Sequence, residues 1–259
     1  MKLPQNPFTR AIRNQEQQIG IWISLCSPFA AEVVSPAGFD WALVDMEHTP
    51  SDYMTVMGQL QAFAASNTTA IVRPEWNNPV VVKRLLDLGA PGLLFPMIET
   101  VEEAEKAVAS TRYPPKGIRG VSGATRATRF GRVENYLEQV EQETTVILQL
   151  ESADAIAQAE AIASVDGVDG IFFGPADIAA DMGIVGKPTD PRVWDLIKPA
   201  AKKIRAMSKP VGTLVADPDF ALDLLNNEDF TFVACGLDTV LLARASDNLI
   251  SKMKSGLNS

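Results

Sequence analysis

The stretch Trp41-Ala42-Leu43-Val44-Asp45-Met46-Glu47-His48 decides the fold. Its first four residues are apolar without alternation, which is typical of a strand buried on both faces, and parallel sheets produce such strands. An acid-x-acid-His cluster follows, where the strand would run into a loop. His48 is the only histidine of the chain, and histidine is the side chain whose ordinary pKa lies nearest neutrality. The stretch therefore predicts a buried strand that ends in a candidate general base, the alternative being a histidine that only hydrogen-bonds its surroundings.

Short apolar stretches of this kind recur along the chain. The eight predicted strands are residues 20–25, 41–45, 69–73, 92–96, 146–151, 170–174, 210–215 and 230–235. The predicted helices between them are residues 51–65, 80–88, 100–110, 191–207 and 218–226. The pair Asp-Pro opens the last two, which predicts Asp190 and Asp217 as their N-caps, and Thr-Val-Glu-Glu at residue 100 predicts a capping box.

This alternation over 259 residues predicts one domain, residues 1–259, folded as an α/β protein of the (β/α)8 or TIM-barrel type. An open doubly wound sheet is the structural alternative. Its dinucleotide-binding form lacks support, because no G-x-G-x-x-G motif follows the first predicted strand.

The composition narrows the class of partner. The chain has 23 basic and 32 acidic residues and a net charge of −9, which argues against nucleic acid as the main partner. No apolar run is long enough to cross a membrane, and the first residues lack the apolar core of a signal peptide. Two cysteines make no disulfide framework. We therefore expect a cytoplasmic protein, while the charge says little about small substrates.

Polar residues stand at the carboxyl ends of the predicted strands, where a TIM barrel places its active site. Strand three ends in Arg73, strand five in Gln149-Leu150-Glu151, and strand six opens into Gly-Pro-Ala176-Asp177. Two carboxylates and an amide predict a site of hard oxygen ligands that suits Mg²⁺ or Mn²⁺. A structural ion pair is the alternative for any one of these residues. No lysine follows a predicted strand, which disfavours a Schiff base and favours a metal as the Lewis acid.

The segment 114–132 is a basic island in an acidic protein. It reads PPKGIRGVSGATRATRFGR, without a single acid. Its cations are Lys116, Arg119, Arg126, Arg129 and Arg132. Because long connections are often functional, we expect this loop over the barrel mouth, with Arg119 and Arg126 holding anionic groups or a neighbouring subunit. The alternative is a solvated surface loop.

Across most of residues 18–215 the chain resembles the metal-dependent class II pyruvate aldolases of the 4-hydroxy-2-oxoheptanedioate and 2-dehydro-3-deoxyglucarate aldolase family. The stretches that carry the resemblance are GFDWALVDMEHTP, IVRPEWNNP, LLDLGAPGLLFPMIETVEEAEKAV, RYPPKGIRGVSGATRA, LQLES and VDGVDGIFFGPADIAADMG. The resemblance implies a carbon–carbon lyase with a divalent metal (Mg²⁺, Mn²⁺ or Co²⁺). Its expected reaction cleaves or forms 4-hydroxy-2-oxo acids, with pyruvate or hydroxypyruvate as the enolate donor and an aldehyde as the acceptor.

The resemblance also implies roles for individual residues. The catalytic set would be His48 as acid/base, Arg73 as stabiliser of the enolate charge, and Asp87 as the carboxylate that partners the histidine. The binding set would be Glu151 and Asp177 as metal ligands, with Gln149, Arg73 and the Ala176–Asp177 backbone on the keto acid. Homo-oligomers are expected, trimers or hexamers, with a C-terminal helix at about residues 238–256 exchanged between subunits.

Two other functions stay open at the level of sequence. The same metal and enolate chemistry would serve an oxaloacetate decarboxylase or a lyase of CoA thioesters. A non-enzymatic keto-acid-binding protein is the third hypothesis. The candidate acid/base residue His48 argues against it, because binding alone requires no acid/base residue.

Overall fold

The computed structural model describes residues 1–227 and 229–257. Eight parallel strands pair in chain order and close into a barrel, with β8 returning to β1. The strands are β1 (Gln18–Ile23), β2 (Trp41–Asp45), β3 (Thr69–Arg73), β4 (Gly92–Phe95), β5 (Thr145–Leu150), β6 (Gly170–Phe173), β7 (Val211–Leu214) and β8 (Phe232–Leu237). The predicted TIM barrel is confirmed, and each predicted strand is found within two residues of its expected bounds.

Helices alternate with the strands, beginning with α1 before β1. They are α1 (Pro7–Arg13), α2 (Pro28–Val34), α3 (Tyr53–Phe63), α4 (Pro79–Asp87), α5 (Val101–Thr111), α6 (Tyr136–Glu143), α7 (Ala153–Ala157), α8 (Ala159–Ala163), α9 (Pro175–Asp181), α10 (Pro191–Ala206), α11 (Pro218–Asn227) and α12 (Asp238–Leu257). The predicted helices correspond to α3, α4, α5, α10 and α11, and the expected C-terminal helix is α12. The remaining helices have five to eight residues, too few for a helical period to stand out.

The predicted helix starts are confirmed by their hydrogen bonds. The Asp190 carboxylate accepts from the N–H of Arg192 at 3.0 Å, and the Asp217 carboxylate accepts from the N–H of Asp219 at 2.9 Å. Thr100 and Glu103 form the full capping box of α5. These side chains satisfy N–H groups that a helix leaves without partners in its first turn.

Aromatic rings fill the amino-terminal half of the barrel interior. Phe8 on α1 stacks on Trp41 with ring centroids 5.4 Å apart and meets the edge of Phe232 at 5.8 Å. Asn6, the N-cap of α1, donates to the backbone carbonyl of Pro91 at 2.9 Å. Helix α1 therefore closes the amino-terminal end of the barrel, and the opposite end stays open.

Two glycines give these rings their space. A Cβ on Gly20 would lie 2.2 Å from Cε2 of Trp41, and a Cβ on Gly212 would lie 2.2 Å from Cε2 of Phe232. Both rings thus lie directly against strand backbone. Any side chain at either position would have to displace an aromatic ring that is fully buried.

Helix α12 projects from the barrel rather than packing on it. Among its described residues only Asp238, the first, is buried. Its exposed large apolar side chains are Val240, Leu241, Leu242, Leu249, Ile250, Met253 and Leu257. The exchange of this helix between subunits stays a prediction. Among the described residues, no helix combines the length and apolar character needed to span a bilayer.

The glycine positions make a stability prediction. Gly212→Ala should lower the free energy of unfolding by about 1–3 kcal/mol or more, because overpacking a filled core forces rings and backbone to shift. Urea denaturation followed by circular dichroism measures the change. Gly123→Ala is the control, since a Cβ there meets no atom within 4 Å. Equal stability of both variants would contradict the close packing of Phe232 on β7.

Candidate active site

A cavity of about 980 Å³ opens at the carboxyl ends of the strands. Five of the seven predicted site residues line it: His48, Arg73, Gln149, Ala176 and Asp177. Glu151 lies behind Gln149, whose Nε2 donates to Glu151 Oε1 at 2.6 Å. The structure thus brings six of the seven together, because successive parallel strands deliver their ends to one rim.

Arg73 is the buried cation of this site. Its Nε and Nη2 donate to the two carboxylate oxygens of Asp45, at 2.8 and 2.7 Å. Its Nη1 lies 2.8 Å from Oε2 of Glu47, and the guanidinium sits 4.9 Å from the ring centroid of Trp22. The indole of Trp22 donates to Asp45 Oδ2 at 3.2 Å. Arg73 is therefore held from three sides in one orientation.

Asp45 and Arg73 stabilise each other's charged forms. Burial by itself would raise the pKa of Asp45, but the Arg73 guanidinium outweighs it and holds that pKa below its usual range. In Arg73 burial opposes the charge, and the carboxylates of Asp45 and Glu47 nonetheless raise the pKa of the guanidinium. The ion pair therefore stays ionised at neutral pH, with its geometry fixed by two parallel hydrogen bonds.

Asp45 and Trp22 were not assigned a role by the sequence. The signal for Asp45 was present in the strand ends, because Asp45 and Arg73 close β2 and β3 and stand opposite each other in the register of the pair. Trp22 carried no such signal, since an indole in an apolar strand looks like core.

Glu151 is a buried carboxylate among other acids. Its Oε2 accepts from the backbone N–H of Met97 at 2.9 Å. Burial raises the pKa of Glu151 to about 8; the Met97 N–H opposes this rise, and the negative charges of Asp177 and Glu47 add to it. A positive charge placed beside such a carboxylate stabilises its ionised form.

The oxygen atoms here fit a hard divalent cation in part. Glu151 and Asp177 are close enough to repel each other, and the buried Oε1 of Gln149 accepts no hydrogen bond. Within the described part of the chain, no group of three or more His, Cys, Asp or Glu side chains is arranged to hold a metal ion. A dication beside these two carboxylates would need its other positions filled by substrate or water, an arrangement that Mg²⁺ commonly accepts.

His48 faces the open cavity. Its side chain is 65% exposed, and its Nε2 lies 3.8 Å from Oε2 of Glu47. Burial raises the pKa of Glu47, while Arg73 and His48 act to lower it. Glu47 thus lies between the fixed guanidinium and the imidazole, and of these two groups the imidazole is the exposed one.

Asp87 lies away from this cavity. It is the last residue of α4, which runs back from the mouth to the amino-terminal end of the barrel. Its Oδ1 accepts from Nη2 of Arg119 at 2.8 Å. The neighbouring Gly89 lines a second cavity of about 540 Å³, together with Thr69 and Pro91 at the starts of strands. One chain therefore does not bring Asp87 and His48 together.

The expectation that the segment 114–132 covers the mouth of its own barrel is wrong. Helix α5 carries the chain back to the amino-terminal end before the segment begins. There Arg126 Nη1 donates to the carbonyl of Leu88 at 2.6 Å, and the N–H of Ala127 donates to the carbonyl of Asp87 at 3.1 Å. Arg119 is fully buried against Tyr113, at 4.6 Å from its ring centroid. These hydrogen bonds attach the segment to the end of α4.

A family model described as HpcH/HpaI aldolase/citrate lyase matches residues 18–245, which include the whole site. The chain belongs to this family. The resemblance seen in the sequence is confirmed, and the match extends through all eight strands into α12.

Relatives in the HpcH/HpaI family are similar over nearly the full chain. A pyruvate aldolase of Rhizobium etli is 49% identical over 252 residues, 97% of this chain and 99% of the relative. A 4-hydroxy-2-oxo-heptane-1,7-dioate aldolase of Salmonella heidelberg is 45% identical over 249 residues, 96% of this chain and 94% of the relative. The crystal structure of a family protein from Burkholderia cenocepacia J2315 has a TM-score of 0.91 at 36% identity, covering 96% of this chain and 100% of the other. This family member is accordingly an enzyme of the carbon–carbon lyase class.

The buried ion pair makes a second stability prediction. Asp45→Ala should cost about 3 kcal/mol in the free energy of unfolding, because it leaves the Arg73 charge buried with one carboxylate fewer. Glu160→Ala is the matched control; it removes an ion pair with Lys203 whose side chains are 54% and 63% exposed. Such an exposed pair contributes at most about 1 kcal/mol. Denaturant titration of both variants decides, and an equal loss would mean that Asp45 acts as a surface charge.

Proposed function

We propose that this family member is a divalent-metal-dependent aldolase for 4-hydroxy-2-oxo acids, with pyruvate or hydroxypyruvate as the enolate donor and an aldehyde as the acceptor. The observation that supports it best is the immobilised Arg73 guanidinium, which shares one cavity with the accessible His48 and with Gln149 and Asp177. This set matches the needs of enolate chemistry: fixed positive charge, a mobile proton and oxygen ligands.

Arg73 would stabilise the charge that cleavage creates. Breaking the bond between C3 and C4 of a 4-hydroxy-2-oxo acid leaves an enolate whose negative charge lies on the keto oxygen. A guanidinium has five N–H donors, and the hydrogen bonds to Asp45 use one on Nε and one on Nη2; Nη1 lies 2.8 Å from Glu47 Oε2 as an ion pair without hydrogen-bond geometry. At least one N–H on each terminal nitrogen therefore remains for an oxyanion. Because Asp45 fixes the orientation beforehand, little reorganisation is needed as the charge develops.

His48 would move the proton. In cleavage the neutral imidazole takes the proton of the 4-hydroxyl group, and in synthesis it returns a proton to the aldehyde oxygen. The Glu47 carboxylate at 3.8 Å supports the imidazolium that forms. Asp87, the other proposed partner of the imidazole, is at the opposite end of its own barrel, so it would have to act from a second copy of the chain.

Glu151 and Asp177 would hold the metal, which when bound would supply positive charge to stabilise the negative charge of the enolate. The amide of Gln149 and the backbone N–H groups of Ala176 and Asp177 would orient the keto acid. Those N–H groups lie in the first turn of α9, where a helix provides no acceptor of its own.

We also infer a homo-oligomer, a trimer or hexamer, in which a neighbouring copy covers α12. The helix presents apolar side chains along both halves of its length, including Leu241, Leu249 and Met253. So many exposed apolar side chains on one helix usually mark a contact surface.

Metal removal tests the proposed chemistry. After exhaustive chelation, cleavage of a 4-hydroxy-2-oxo acid to pyruvate should cease, and added Mn²⁺, Mg²⁺ or Co²⁺ should restore it, because the dication balances Glu151 and Asp177. A lactate dehydrogenase-coupled assay measures the pyruvate. Carbon dioxide release from oxaloacetate is measured in parallel. Full activity without metal would refute the metal role, and faster decarboxylation than cleavage would favour the decarboxylase.

Replacement of the imidazole tests the proton transfer. His48→Ala should slow cleavage by roughly 10²–10⁴-fold, the usual contribution of a positioned acid/base group. Binding of Mn²⁺ and pyruvate should persist, as the proposed ligands Glu151, Asp177 and Gln149 are unchanged; isothermal titration calorimetry provides this control. A variant that turns over within about threefold of the parent would show that His48 is not the base.

A further inference from the structure

Met97 has a backbone conformation that residues with a side chain seldom adopt. It follows Pro96 at the end of β4 and has a φ of +52°, in the left-handed region. A Cβ makes this region unfavourable, and an outlier of this kind persists only where surrounding structure imposes it.

The conformation points two successive N–H groups towards the end of β5. The N–H of Met97 donates to Glu151 Oε2 at 2.9 Å, and the N–H of Ile98 donates to the backbone carbonyl of Gln149 at 3.1 Å. Ile98 is fully buried and anchors the turn. The hydroxyl of Ser152 donates to Glu99, so three consecutive residues of the β4–α5 turn contact β5 or the residues just after it.

The Met97 side chain does not account for this arrangement. It is only partly buried and lies outside the wall of the active-site cavity. A glycine would reach the same backbone conformation with less strain. The contact that distinguishes residue 97 is therefore its N–H on Glu151.

That N–H completes an enclosure around the Glu151 carboxylate. Oε1 is held by Gln149 Nε2 at 2.6 Å and Oε2 by Met97. On the side of Gly174 there is no room to turn, since a Cβ on that glycine would lie 2.7 Å from Oε1. Two donors and one close backbone thus fix the plane of the carboxylate.

We propose that Met97 is a positioning residue: its left-handed backbone orients Glu151 and so sets the affinity of the site for a divalent cation. This inference rests on the proposed function, in which Glu151 is a metal ligand. Groups that orient a metal ligand commonly change metal affinity by roughly 10–100-fold when they are lost. The inference concerns the backbone at residue 97, and replacing the side chain tests it only through the φ angle.

The experiment compares two substitutions at residue 97. Valine is strongly disfavoured at positive φ and should turn the N–H away from Glu151, whereas glycine accepts the native conformation. Mn²⁺ affinity without substrate, measured by electron paramagnetic resonance of the free ion, should be weaker in Met97→Val than in Met97→Gly by roughly 10–100-fold. Met54→Val is the control for the loss of a methionine; this side chain is 67% exposed on α3, and its variant should bind like the parent.

A second measurement requires neither metal nor a variant of Met97. In the metal-free protein, the amide hydrogen of Met97 should exchange slowly with solvent and exchange faster in Glu151→Ala, as mass spectrometry or NMR would show. Equal Mn²⁺ affinity of the valine and glycine variants, within about twofold, would overturn the inference. If the parent binds no dication, the metal role of Glu151 fails, and the exchange measurement alone decides: an unchanged Met97 amide overturns the positioning role as well.

Discussion

A closed barrel of eight strands encloses a space that only side chains can fill, and the rest of this structure depends on how that space is divided. The amino-terminal half contains aromatic rings, with Phe8 of α1 and Phe232 of β8 against Trp41. The carboxyl-terminal half contains charges instead. Because the first half is packed and closed, the second can remain open without loss of the fold.

The charged half depends on one buried guanidinium. Arg73 would be costly to bury alone, and its position requires two carboxylates and an aromatic face in defined places. Asp45 and Glu47 meet this need from β2 and the residues after it. Trp22 links the two halves, since its ring lies 5.7 Å from that of Phe172 and its N–H reaches Asp45. The indole of Trp22 therefore belongs both to the aromatic core and to the hydrogen bonds that hold Arg73.

The strands and the strand-end residues could be predicted because both follow from local pattern and barrel geometry. A run such as Trp41 to Val44 admits few structures, and parallel strands bring Arg73, Gln149 and Asp177 to one rim. The location of the segment 114–132 follows from the same geometry, and its prediction failed because it used only the length of the connection. The predicted helix 100–110 lies between the fourth strand and the segment, so a (β/α)8 barrel places the segment at the amino-terminal end.

Two features depend on contacts that a sequence pattern does not report. The place of Asp87 at the end of the predicted helix 80–88 already puts it at the far side of a (β/α)8 barrel, and the coordinates add its pairing with Arg119. The contribution of Met97 is made by an N–H group, which every residue except proline carries. Sequence patterns report side chains, so a backbone donor with an unusual φ angle leaves no trace in them.

The position of Trp22 bears on any attempt to redesign the substrate range of this enzyme. Trp22 and Phe172 line the cavity and also belong to the aromatic core of the barrel. Replacing either would therefore change the core packing together with the shape of the cavity. Pro188, Thr189 and Thr239 line the same cavity but lie outside that aromatic filling. A library confined to these three positions would vary the shape of the cavity and leave the packing of the aromatic core, and the stability that depends on it, unchanged.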